Sequence, residues 1–141
     1  MNEAETRAEL IDPALAAAGW GVVEGSRIRR EYPITLGRIE GRGRRASALT
    51  ADYVLEYRGI MLAVLEAKAR DKPLTEGLAQ AKRYAGKLAL RFAYATNGQA
   101  VYGVDMASGV EGGLERYPGP DGGDGRRRRP GRPASARLPG Q

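Results

Sequence analysis

Apolar positions recur at helical spacing at the start of the chain. Residues 2–18 are rich in Ala and Glu, with Ala8, Ile11, Leu15 and Ala18 on one face and Gly19 as a stop. This predicts a helix, bent at Asp12-Pro13 because proline removes a backbone donor. Trp20 to Val23 leads through Gly25-Ser26 into residues 27–34, where Ile28 and Tyr32 share a parity. Pro33 cannot donate to a ladder, so this stretch is predicted as an edge strand. Residues 37–47 concentrate Gly37, Gly41, Gly43 and four Arg and read as a mobile basic loop.

The middle of the chain carries the strongest pattern. Residues 52–57 and 60–68 flank Arg58-Gly59 as a hairpin, and the second strand is apolar on both faces, which places it centrally in a sheet. After Asp71-Lys72-Pro73 a second helix is predicted, N-capped by Thr75, with Leu78, Ala81, Ala85 and Leu88 turned inward. A strand at 92–96 follows, and Asn97-Gly98 turns it into another at 100–104. The fold class is therefore α/β: a central mixed β-sheet flanked by helices, the second helix crossing over between neighbouring parallel strands.

Composition then removes whole classes of chemistry. The 141 residues contain no Cys and no His, so thiolate or imidazole zinc sites, disulfides, Cys nucleophiles and Ser-His-Asp triads are excluded. Catalysis is left to carboxylates, Lys, Arg, Tyr or Ser, with an oxygen-ligated cation such as Mg²⁺ as the natural cofactor. The formal charge of +6 is unevenly placed: residues 1–118 carry 17 basic and 15 acidic side chains, whereas residues 119–141 carry 6 and 2. That last stretch is Gly, Pro or Arg at 16 of 23 positions, cannot bury an apolar face and reads as a disordered, solvated tail. Residues 1–118 form one domain. With no signal-like N-terminus and no long apolar run, the chain is expected to be soluble and cytoplasmic, without a membrane partner.

One constellation carries chemistry. If the hairpin centres on Gly59, residues whose numbers sum to about 118 face each other, which sets Asp52 opposite Glu66, and strand parity puts Lys68 on the face of Glu66. Two carboxylates and an amine at one end of a strand pair repel unless a cation compensates them. Asp52 and Glu66 would ligate Mg²⁺, the Ala67 backbone carbonyl could add a ligand, and Lys68 would orient a water or stabilise an oxyanion during phosphodiester hydrolysis. Composition alone yields a Glu-x-Lys triplet about 0.3 times in a chain like this, so the weight lies in its context. Gln80 and Tyr84, four apart on the second helix, share a face and either contact a DNA backbone or steady the strand. A third carboxylate could come from Glu5 on the first helix, although a solvated helix face explains Glu5 and Glu9 equally well.

Asp52, Glu66-Ala67-Lys68 and Gln80-x-x-x-Tyr84 together resemble the PD-(D/E)xK nuclease superfamily. The likeness is to the RecB-like group, and in particular to the N-terminal nuclease domain of type I restriction enzyme R subunits. Glu5-Thr6-Arg7, Ala18-Gly19-Trp20, residues 28–32 and residues 94–98 extend the likeness over most of residues 3–118. It implies a restriction-endonuclease-like fold and Mg²⁺-dependent cleavage of double-stranded DNA. Asp52 and Glu66 would be metal ligands, Lys68 the catalytic lysine, and Gln80 and Tyr84 supporting residues. Methyltransferase and specificity subunits are the partners it suggests. In such subunits two ATPase domains follow, and the absence of any Gly-x-x-x-x-Gly-Lys-Ser/Thr loop here leaves this chain without an ATP-driven motor. The expectation is a truncated or frame-shifted R subunit. The alternatives are a free-standing resolvase- or repair-type nuclease, and a non-catalytic DNA-binding or subunit-docking remnant.

Overall fold

The computed structural model describes residues 2–35 and 49–121; the predicted basic loop at 37–47 and the tail from residue 122 lie outside them. Six strands form one sheet in sequence order: β1 (Ser26–Thr35), β2 (Leu49–Tyr57), β3 (Ile60–Ala67), β4 (Phe92–Thr96), β5 (Val101–Asp105) and β6 (Glu111–Leu114). Neighbours are antiparallel except β3 and β4, which run parallel. Joining them is α3 (Thr75–Leu88), the predicted crossover helix. As predicted, β1 lies at an edge, the position a strand carrying Pro33 can take. The strand β6 was not legible, because Gly112 and Gly113 interrupt any apolar alternation.

Helices cover both faces of the sheet, giving three layers. On one side α1 (Glu3–Thr6), a π-helical turn (Arg7–Ile11) and α2 (Asp12–Ala17) run on continuously, and Ile11, Leu15 and Trp20 pack with Tyr53, Leu55, Leu65 and Tyr94. On the other, Ala81, Tyr84 and Ala85 of α3 pack on Ala51, Val54, Val64, Ala93 and Val104. The alternation of Tyr53 and Leu55 against Val54 is the period of two that lets one strand feed both cores.

Three local expectations are corrected. At the expected bend the first helix widens into a π turn just ahead of Pro13, with the Asp12 N–H bonded to the Arg7 carbonyl. The extra residue rotates the inward face, so Ala8 is exposed and Thr6 is buried in its place. Thr75 is the first residue of α3 and Leu74 occupies the cap, without a side-chain bond. The described residues run past Pro118 to Asp121, with Pro120 buried. Trp20 Nε1 donates to the Pro118 carbonyl at 2.8 Å, fastening this end to the first helical layer. Among the described residues no helix is long and apolar enough to cross a membrane.

Candidate active site

The site forms where β2 and β3 separate. Their pairing starts at the tight turn of Arg58 and Gly59, both with positive φ, and runs from Tyr57↔Ile60 to Tyr53↔Leu65 before it stops. From there β2 stays with β1 through Tyr32↔Ala51 and Pro33↔Thr50, while β3 stays with β4 through Glu66↔Ala95 and Ala67↔Thr96. Side chains close the resulting fork. The Asp52 N–H donates to Glu66 Oε2 at 2.9 Å, and the Ala67 N–H donates to Asp52 Oδ2 at 2.8 Å. Each carboxylate thereby satisfies a backbone donor that the broken ladder leaves over.

Confinement makes these carboxylates resist ionisation. Burial, reinforced by the charge of Asp52, pushes Glu66 up to about 8 against the pull of the Asp52 N–H, Lys68 and Arg7. Burial also raises Asp52, opposed by the Ala67 N–H and the Arg7 charge. Such a pair is short of positive charge. The nearest cation is Arg7, whose Nη2 lies 2.5 Å from Asp52 Oδ1 and 2.8 Å from Glu3 Oε2, while Nη1 lies 2.7 Å from Glu31 Oε2. Although its own burial opposes charge, the bond to Glu31 and the charges of Asp52 and Glu3 hold the guanidinium above its ordinary value.

Lys68 continues β3 by one residue, its N–H bonded to the Thr96 carbonyl at 2.8 Å. Its ammonium is 3.5 Å from Glu76 Oε1, a carboxylate that is 84% exposed and so holds it loosely. The aliphatic stem runs over Gly77, where a Cβ would come within 3.2 Å of Lys68 Cγ. A glycine in the first turn of α3 thus leaves room for the lysine. Gln80 and Tyr84 meet each other: Gln80 Nε2 donates to the Tyr84 hydroxyl at 2.8 Å, and the ring is buried against Ala51 and Val64, one residue before Asp52 and two before Glu66.

Glu5 does not complete a third carboxylate. It accepts from the Asn2 N–H in a capping box at the helix start, and it is Glu3 that reaches the cluster, through Arg7. Among the described residues no group of three or more Asp or Glu side chains stands in ligating arrangement. The donor set still fits Mg²⁺, which takes one or two carboxylates and fills its remaining positions with water and phosphate oxygens. Sequence reasoning assigned no place at the site to Arg7, Glu31 or Gly77, although Arg7 and Glu31 lie in stretches that carry the resemblance. Gly77 left its own trace, as a glycine placed where a helix prefers alanine.

No family model matches the chain. It is 36% identical over 116 residues to the type I restriction enzyme EcoAI endonuclease subunit of Escherichia coli, an alignment covering 79% of this chain and 14% of that protein. Its fold superposes with a TM-score of 0.78 and 38% identity on a fragment structure of a protein described as an HsdR subunit of a type I restriction enzyme from Vibrio vulnificus, covering 86% of this chain and 24% of the other. The chain is related to type I restriction HsdR subunits. The mixed sheet between two helical layers is accordingly the restriction-endonuclease-like fold, shared with the HsdR fragment. This HsdR-related chain spans less than a quarter of the length of either relative.

Proposed function

We propose that the chain is the Mg²⁺-dependent nuclease module of a type I restriction endonuclease subunit and hydrolyses phosphodiester bonds in double-stranded DNA. The observation that carries this reading is the fork between β2 and β3, where Asp52 and Glu66 are brought together with Lys68 two residues along the same strand. A relation to two HsdR proteins supports it. Asp52 and Glu66 are the ligands this reading assigns, with the Ala67 carbonyl beside them. A bound Mg²⁺ supplies charge neutralisation at the scissile phosphate and activation of a water. Lys68, whose ion pair among the described residues is with the exposed Glu76 carboxylate, can place its ammonium at the phosphate and stabilise charge that builds there. Tyr84 and Gln80 stiffen the helix face behind the strand. Methyltransferase and specificity subunits are the proposed partners, and sequence choice would belong to them.

Supercoiled plasmid incubated with the purified chain and Mg²⁺ or Mn²⁺ tests the assignment. Nicking by wild type that Asp52→Ala, Glu66→Ala and Lys68→Ala each abolish supports it. Cleavage that survives all three substitutions discards the site, and a wild type that binds plasmid without cutting it favours the docking remnant instead.

A further inference from the structure

Arg7 occupies a place that the nuclease reading leaves unexplained. Asp52 Oδ2 accepts from the Ala67 N–H, and Arg7 Nη2 holds the other oxygen, Oδ1, the one that no backbone donor takes. The same guanidinium is already shared with Glu3 and Glu31, whose side chains are 43% and 62% exposed, and its carbon stands 5.5 Å over the Tyr53 ring. Those contacts give the guanidinium seats other than Asp52. Its Nε is buried with no hydrogen-bond partner among the described residues. Glu31 reaches Arg7 from a backbone φ of 52°, a conformation that strains a non-glycine residue and is tolerated where a contact compensates. Arg7 also opens the π-helical turn, a distortion frequent at functional sites.

We propose that Arg7 is a built-in competitor for the divalent cation: in the metal-free protein its guanidinium holds the free oxygen of Asp52, and Glu3 and Glu31 retain it when Asp52 turns to the ion. The proposal rests on Asp52 being a metal ligand. It makes Arg7 a positioning residue that partly offsets the charge of the fork and sets how tightly the ion binds. Metal affinity is then lowered by the fraction of molecules in which Arg7 holds Asp52.

Calorimetric titration of the chain with Mn²⁺ alone, without DNA, tests it. Arg7→Gln is expected to bind Mn²⁺ about tenfold more tightly than wild type, because the competitor is gone. Glu3→Gln/Glu31→Gln removes the alternative seats and is expected to bind several-fold more weakly, whereas Glu9→Gln/Glu24→Gln, which removes the same charge from exposed positions, leaves affinity unchanged. Unchanged or weaker binding by Arg7→Gln overturns the proposal, since an arginine that merely orients Asp52 would help the metal. Should Arg7→Gln fail to fold, the surface pair decides: weaker binding than its control supports the proposal, and equal binding overturns it. Asp52→Ala separates the two levels. If it binds Mn²⁺ as wild type does, the ligand assignment fails and takes the proposal with it; if it does not, only the Arg7 arms are in question.

Discussion

Replacing Glu66 by Gln removes a charge that its surroundings resist while leaving an oxygen to accept the Asp52 N–H. Glu66 is 3% exposed and, chiefly through burial, titrates at about 8 rather than the ordinary 4.5. The folded state therefore binds this proton more tightly than the unfolded state. Stability falls as pH rises from about 4.5 towards 8 and levels off above that. A gap of about 3.5 units at about 1.4 kcal/mol per unit sets an upper bound of roughly 5 kcal/mol. Because Asp52 shares the titration, the part carried by Glu66 is smaller, on the order of 3 kcal/mol. In EDTA, Glu66→Gln should match wild type near pH 5 and exceed it at pH 8.5 by on the order of 3 kcal/mol, or roughly 10 °C in Tm. Thermal unfolding followed by circular dichroism across that range checks the sign. Parallel profiles for the two proteins, or a variant less stable at pH 8.5, would refute the claim that the fork is short of positive charge.

Other expectations follow from the same geometry. Mg²⁺ should raise the Tm of wild type more at pH 8.5 than at pH 5.5 and leave Asp52→Ala unmoved, since only the ionised pair offers a site; differential scanning fluorimetry reads this directly. Gly77→Ala improves the helix by up to about 1 kcal/mol in propensity but crowds the stem of Lys68, 3.2 Å away, so plasmid nicking should fall with no loss of Tm. Tyr84→Phe keeps the buried ring and removes only the bond from Gln80. Denaturant titration should show a loss of about 1 kcal/mol, with most of the nicking activity retained. Tyr53→Phe, which breaks the 2.8 Å bond to Asp12 between sheet and first helix, should cost about as much.

The hairpin shows what the amino-acid pattern can reach. Alternation around Arg58-Gly59 set Asp52 against Glu66, and the paired residues follow that register from Leu55↔Ala63 to Tyr53↔Leu65, with one shift nearer the turn. The separation of the strands at Asp52 was not legible, because it depends on β2 following β1 and β3 following β4, which are contacts between distant segments. The same distance hid the contact of Glu31 with Arg7. The reach of Arg7 into the fork was hidden by an assumption of regular helical period, since the π turn at Arg7–Ile11 reassigns which side chains face the sheet. Gln80 and Tyr84, one regular turn apart on an ordinary amphipathic helix, were correctly expected to share a face, and they bond to each other.

Everything proposed for this chain depends on a divalent cation binding in the fork between β2 and β3. Anomalous diffraction from crystals grown with Mn²⁺ measures this directly. The expected result is a peak in coordinating contact with the carboxylates of both Asp52 and Glu66, accompanied by a longer Arg7–Asp52 separation. A peak held only by other carboxylates, or an empty fork at a Mn²⁺ concentration that supports plasmid cleavage, would contradict it.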